Sequence, residues 1–328
     1  MIPILSPTPD NIRRAAEALR RGSLVAMPTE TVYGLAGDAL NPKALARIFE
    51  VKRRPFFDPL IVHISERSWV EKLCHQIPDG ARTLMERFWP GPLTLVLAKR
   101  DIVPDLATSG LDTVAVRMPS HPVAQALLQE AGTPLAAPSA NPFGRLSPTC
   151  AEHVAADFSD GIDCILDGGP CAVGVESTVI GWEDGKPLLL RAGGIALEAI
   201  EVVIGKVLEK TSATPVPQSP GNLPWHYAPR TPLELWNPGD SLLRANSGLL
   251  WFGTETAPRG FVHTENLSPK ENLQEAAANL FSALHRLDHA GLSCIYAQIL
   301  PDVGLGRAIN DRLRKAAAAP HLAHEGDC

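Results

Sequence analysis

Several groups of residues in this chain have the types and spacing to do chemistry. The first is Pro28-Thr29-Glu30-Thr31-Val32-Tyr33-Gly34-Leu35, directly after the apolar run Leu24-Val25-Ala26-Met27. The run predicts a buried strand. Polar side chains at the end of such a strand are costly unless something satisfies them. Two threonines, a glutamate and a tyrosine arriving there together point to a pocket wall. A Pro-started loop whose threonines cap the next element is the competing reading. The second group is Lys52-Arg53-Arg54-Pro55. Lys52 and Arg54 are two residues apart, so in an extended segment they share one face. Together they suit a polyphosphate, the lysine as a point charge and the arginine as a fork. A solvated helix end is the alternative.

Arg117 lies among Val114, Val116 and Met118 in a strand-like run. A buried arginine needs an anionic partner, which could be a ligand carboxylate or an internal Asp or Glu. Pro138-Ser139-Ala140-Asn141 and Leu146-Ser147-Pro148-Thr149 offer hydroxyls and an amide that position a ligand without adding charge; ordinary loop chemistry explains them equally well. Glu176-Ser177-Thr178 follows Gly168-Gly169-Pro170 and Gly174, and glycine-rich backbone can bring N–H groups close to an anion. There is no P-loop sequence, and Gly304-Leu305-Gly306 lacks the third glycine of a dinucleotide fingerprint. His285 and His289 stand at metal spacing on one helix face but lack the accompanying glutamate of a zinc protease, and read as solvated.

Composition narrows the function classes. The chain has 328 residues, 45% hydrophobic and 20% charged, which predicts about two domains with sizeable cores. A net charge of -6 argues against a broad or stable nucleic-acid surface, which needs clustered Lys and Arg. It leaves room for a local basic pocket. The opening Met1-Ile2-Pro3-Ile4-Leu5-Ser6-Pro7 shows no secretory pattern, and no apolar run reaches membrane-span length. The six cysteines are scattered, with no CxxC pair, as expected of reduced thiols in a cytoplasmic protein without a structural zinc site.

The elements that must position these groups alternate between strand and helix patterns. Helices are expected over 10–22, with Asp10 or Asn11 as N-cap, over 41–51 with Pro42 in the first turn, and from Pro122 to about Glu130. Strands are expected at 23–27, 60–64, 93–97, 114–118, 135–137, 164–167, 177–182 and 188–191. This predicts an α/β sheet layered with helices. Near residue 211 the composition changes: Pro215, Pro217, Pro220, Pro224, Pro229 and Pro232 punctuate one segment. That density predicts an extended chain, and Trp225-His226-Tyr227 within it favours a functional lid over a tether. A second α/β pattern follows, with strands at 248–252 and 294–298 and helices at 272–289 and 308–319. The expected division is residues 1–206, a linker or lid at 207–232, and a small domain at 233–328.

In this order, the segments PTETVYGL, IFEVKRRP, PLIVHI, FWPGPLTLVL, VAVRMPSHP, APSANPFGRLSPT, VESTVI, LLRAGGI, SPGNLPWHYAPRTPL and GLGRAINDRLRKAA resemble the threonylcarbamoyl-AMP synthases of the long form. The resemblance covers nearly the whole chain. It implies a YrdC-like twisted mixed sheet with helices, followed by a small Rossmann-like α/β domain. It also implies a reaction that joins L-threonine, bicarbonate or CO2, and ATP, accompanied by Mg²⁺. The products are threonylcarbamoyl-AMP and pyrophosphate, the former passed to proteins that build threonylcarbamoyladenosine in tRNA. Carried over by position, the L-threonine pocket resembles Thr31, His63, Arg117, Ala137 and Ser177. Nucleotide contacts resemble Arg54, Asp58, Thr113, Ser139, Ser147, Arg191 and His226, with Tyr227 beside it. Lys52 and Asn141 complete the paired KxR and SxN motifs, with Lys52 and Arg54 as the catalytic charges. Position 58 is more often Asn in the family; Asp58 could help hold Mg²⁺ or contact a ribose hydroxyl. A double-stranded-RNA-binding module is the rival reading, opposed by the acidic balance. A carbamoyl-adenylate former of hydrogenase maturation is another, opposed by the missing cysteine pairs.

Overall fold

The computed structural model describes residues 2–209, 225–237 and 245–319. They form two compact units: residues 2–143 with 147–209, and residues 144–146 with those from 225 onward. The expected extended lid around Pro215, Pro217, Pro220 and Pro224 lies outside the described residues.

The first unit runs β1 (Ile4–Leu5), α1 (Pro9–Arg20), β2 (Val25–Met27), β3 (Gly34–Asp38), α2 (Pro42–Lys52), β4 (Ile61–His63), α3 (Ser68–Leu73), α4 (Asp79–Phe88) and β5 (Leu93–Ala98). It continues with α5 (Asp105–Thr108), β6 (Thr113–Arg117), α6 (Pro122–Ala131), β7 (Leu135–Ala136), α7 (Ala151–Asp157), β8 (Cys164–Leu166), β9 (Thr178–Glu183), β10 (Lys186–Arg191), α8 (Leu197–Ile204) and β11 (Leu208–Glu209). Among the described residues the strands make one mixed sheet, ordered β1-β8-β2-β3-β7-β4-β6-β5-β9-β10-β11. Its two faces follow the strand period of two. Leu24 and Ala26 face a core shared with Leu45, Ile48 and Phe49 of α2. Val25 and Met27 face the opposite core, with Leu19 of α1 and Leu127 and Leu128 of α6.

Helix starts follow local chemistry. Thr8 caps α1, its hydroxyl accepting from Asn11 N, so the cap precedes the expected Asp10 or Asn11. Pro9 explains the shift, because the first helical position tolerates proline best. Asn41 caps α2, and His121 caps α6 with Pro122 following. Helices α3 and α4 were not apparent in the sequence pattern; α4 buries only Ala81, Leu84 and Met85.

The second unit contains β12 (Leu233–Trp236), β13 (Ser247–Trp251), β14 (His263–Asn266), α9 (Leu273–Asp288), β15 (Cys294–Gln298) and α10 (Gly306–Ala317). Its strands are parallel, in the order β12-β15-β13-β14. One face carries the cluster Trp236, Leu249, Trp251, Cys294 and Tyr296. Gly306 opens α10 where no side chain fits, since a Cβ there would lie 1.9 Å from Pro301 O. His285 corrects the expectation of a solvated histidine: it is buried, because its helix position faces inward beside Leu284. No helix among the described residues is long and apolar enough to cross a membrane, and no disulfide joins the five described cysteines.

Candidate active site

The first wall of the site is a turn that its own side chains fix. Thr29 Oγ1 lies 2.6 Å from Val32 O and 2.8 Å from Thr31 Oγ1, and accepts from Thr31 N at 3.1 Å. This local bonding competes with strand continuation and ends β2. Tyr33 then turns inward, its hydroxyl donating to Gly169 O at 2.8 Å and accepting from Gly168 N at 3.1 Å. Burial pushes the Tyr33 phenol well up. Gly169 N donates to Asp167. The amides of Gly168 and Gly169, expected as candidates for an anion, thus serve internal contacts instead.

Arg117 closes β6 and sits level with His63 of β4 and Thr94 of β5. It donates to Thr31 Oγ1 at 2.9 Å and lies 2.7 Å from Glu30 Oε1. Of the two partners the sequence left open, an internal carboxylate is therefore present. His63 is buried, with Nδ1 3.2 Å from Ile61 O. Burial, then the Arg117 charge, lowers its pKa to about 3, so the ring is neutral and Nδ1 donates to the carbonyl. Ala137 follows β7 and donates its N–H to Ile61 O at 3.0 Å. Thr31 thus meets Arg117 beside His63 at the far end of the β4/β6 pair, while Ala137 lies level with Ile61, whose carbonyl it shares with the His63 ring.

Lys52 and Arg54 do not share the face of an extended segment. Lys52 is the last residue of α2, and Arg53 terminates the helix in the left-handed region at φ 51. That reversal sends both flanking side chains inward, and both are buried. Lys52 Nζ donates to Ser139 O at 2.6 Å and to Asn141 O. It thereby fixes the loop that carries Ser139 and Asn141. Burial, helped by Arg54, holds the Lys52 ammonium well below its usual range. Arg54 Nη2 pairs with Asp58 Oδ2 at 2.8 Å and donates to Pro59 O at 2.8 Å. Burial raises the Asp58 pKa, opposed by Arg54, Lys52 and Arg191. Asp58 thus faces a guanidinium, whichever further role it takes.

Ser177 precedes β9. Its hydroxyl lies 2.7 Å from Thr94 Oγ1, and Arg191 Nη2 donates to Ser177 O at 2.9 Å and to its Oγ at 3.1 Å. Gly193 allows this packing: a Cβ there would lie 2.3 Å from Glu176 O. Ser147 Oγ donates to Glu176 Oε1 at 2.6 Å. Thr113 stands at the start of β6, four residues from Arg117, or about 13 Å along a strand, on the same end of the β4/β6 pair as Asp58.

His226 and Tyr227 belong to the second unit. Tyr227 is buried, has φ 61, and packs 5.8 Å from the Phe281 ring and 5.3 Å from Arg312 Cζ. Thr94 enters the site's contacts although the sequence pattern assigned it no role; its signal was a polar residue inside an apolar strand run. Thr29 and Glu30, expected in the pocket wall, and Glu176, expected beside Ser177, are found there with named partners.

A family model described as telomere recombination, for Sua5, YciO and YrdC proteins, matches residues 17–193. A second, for the threonylcarbamoyl-AMP synthase C-terminal domain, matches residues 195–318. The threonylcarbamoyl-AMP synthase of Pyrococcus abyssi is 45% identical over 318 residues, 93% of this chain and 94% of that protein. The chain belongs to the threonylcarbamoyl-AMP synthase family. The family member of Bacillus subtilis is 43% identical, covering 95% of this chain and 94% of its own length. The crystal structure of P. abyssi Sua5 complexed with L-threonine superposes with a TM-score of 0.89 at 41% identity, covering 97% of both chains. The two-part α/β fold expected for a long-form threonylcarbamoyl-AMP synthase is the one found.

Proposed function

We infer that this synthase joins L-threonine, bicarbonate and ATP into threonylcarbamoyl-AMP and pyrophosphate, for threonylcarbamoyladenosine formation in tRNA. The observation that carries the reading is the burial of two cationic groups in one unit: Arg117 with Thr31 and His63, and Lys52 with Arg54 and Arg191. Glu30 and Asp58 face Arg117 and Arg54 from within the unit; a substrate carboxylate and a triphosphate are the further anions that such a cluster of buried cations suits.

In this reading Thr31, His63, Arg117, Ala137 and Ser177 surround threonine. Arg54, Asp58, Thr113, Ser139, Asn141, Ser147 and Arg191 serve the nucleotide. Two of the three N–H donors of Lys52 hold carbonyls; the third suits a phosphate oxygen. An incoming polyanion would restore the ammonium charge that burial weakens. Mg²⁺ enters as part of the nucleotide substrate and needs at most one or two carboxylates from protein.

The attacking carbamate and the nucleotide are both negative, so repulsion is the main obstacle. Fixed cations act on it without reorganising. No covalent enzyme nucleophile is needed, and positioning does most of the work. The deciding experiment gives purified protein threonine, bicarbonate and MgATP and looks for the adenylate by mass. Its absence, with the protein folded, rejects the reading.

A further inference from the structure

Glu30 is buried, and neither of its carboxylate oxygens accepts a hydrogen bond among the described residues. Among the described residues its one charged neighbour at ion-pair distance is Arg117, at 2.7 Å, with the two side chains 9% and 4% exposed. Buried carboxylate oxygens without donors are costly. Structural reasons alone would favour a neutral residue or a bidentate pair here. The turn at Thr29 holds Glu30 and Thr31 so that consecutive side chains both reach Arg117, whereas an extended strand would send them to opposite faces. The main-chain oxygen of Glu30 is fixed by Val173 N at 2.8 Å.

We propose that Glu30 receives the ammonium group of the amino-acid substrate and takes its proton. The proposal rests on the synthase reading of this pocket. A lone buried arginine would welcome any small anion, including bicarbonate or a phosphate. Arg117 paired with Glu30 presents one charge of each sign, and its complement is a zwitterion: carboxylate to the guanidinium, ammonium to the carboxylate. Glu30 is therefore a specificity determinant as well as a base. His121 and Cys171 are the other titratable groups that feel its charge, and neither offers a better proton acceptor. Burial lowers the His121 pKa, with Gly168 and the Glu30 charge opposing. Burial raises the Cys171 thiol, and the Glu30 charge adds to this.

The N–H bond of the ammonium breaks and its proton moves to a Glu30 oxygen, leaving the electron pair on nitrogen. That pair attacks the carbon of bicarbonate, water leaves, and a carbamate forms with its charge retained. A carbamate oxygen then attacks the α-phosphorus, and the bond to pyrophosphate breaks. Glu30 returns its proton to solvent when the product departs.

The test is calorimetric titration of the wild-type chain and of Glu30→Gln, each with L-threonine and with the 2,3-dihydroxybutanoate that carries a hydroxyl in place of the ammonium. Loss of one charge-assisted contact predicts threonine binding weaker by about 10- to 100-fold in the variant, with the amine-free analogue changed by less than about 3-fold. Equal weakening of both ligands would mean that Glu30 only holds Arg117 in place, and unchanged threonine binding would remove the proposal altogether. If Glu30→Gln does not fold, the wild-type comparison decides: threonine must bind at least about tenfold tighter than the analogue. Turnover at saturating threonine separates the two roles. A variant with wild-type turnover keeps Glu30 as a recognition group and rejects it as the base. A wild-type protein that binds threonine through Glu30 yet forms no adenylate would instead reject the synthase reading.

Discussion

The first unit buries Glu30, Lys52, Arg54, Asp58, Arg117, Glu176 and Arg191; among the described residues of the second, the only buried Asp, Glu, Lys or Arg is Arg312. The polar groups of the two units are also satisfied differently. In the second unit side-chain contacts, near or far, hold backbone in place: Asn310 brackets Leu300, Asp288 accepts from Thr231 N, and Gln298 accepts from Phe252 N. In the first, buried side chains from distant strands and loops also meet one another, as Thr31 and Glu30 meet Arg117 and Thr94 meets Ser177. Gathering charge over such distances opposes both chain entropy and desolvation. A fold keeps it where a ligand repays the cost. The contrast separates a polar interior built for chemistry from one built for stability.

The strongest way to break that contrast is Lys52→Ala. It removes a charge and leaves the carbonyls of Ser139 and Asn141 without their donor. Adenylate formation, followed by pyrophosphate release, should fall by more than about a thousandfold, the loss of one preorganised electrostatic group together with its loop. Retained activity would show that this buried ammonium is structural, like the groups of the second unit.

Arg117→Ala should act next most strongly, and selectively. The threonine KM should rise by about a hundredfold while the ATP KM changes by less than about fivefold, as expected when one buried charge-assisted contact is lost. The reverse ordering would move Arg117 to the nucleotide.

These two residues also show what the sequence could disclose. Arg117 was legible because an arginine inside an apolar strand demands an anion. Lys52 and Arg54 were legible as a pair, but their geometry was not: whether Arg53 continues a helix or reverses it depends on the left-handed cap, which residue type does not dictate. Glu30 stood in view within the leading motif, yet its partner lies 87 positions away, and no local pattern reports such a contact. The strands that place His63 and Arg117 side by side were each visible from hydrophobic runs. Their order in the sheet was not, since pairing is decided by packing over the whole unit.

The second unit offers the opposite test. Asn310→Ala leaves the Leu300 N–H and C=O unpaired in the interior and should cost about 2 kcal/mol in denaturant unfolding. Adenylate formation per folded molecule should not change. A fall in turnover at full folding would give this unit's polar interior a share in the chemistry and blur the distinction.

The smallest expected effect is a slope. His63 is held neutral in the folded first unit, its pKa lowered to about 3 by burial and by Arg117, against about 6.5 in an unfolded chain. A depressed folded pKa means that the unfolded state binds the proton first. The stability His63 contributes is therefore complete above about pH 6.5 and is lost as the pH falls toward 3, by about 1.4 kcal/mol per unit. Asp58, whose pKa burial raises, works in the other direction: its contribution grows as the pH falls through its folded value. The comparison must therefore be a difference, wild type minus His63→Gln, in which Asp58 cancels. Unfolding measured from pH 6.5 down to 4.5 should bring the two curves together by about 1.4 kcal/mol for each unit. Parallel curves would mean that the imidazole takes up its proton inside the fold, next to Arg117, and the pocket proposed for threonine would then carry two cations where the present geometry gives it one.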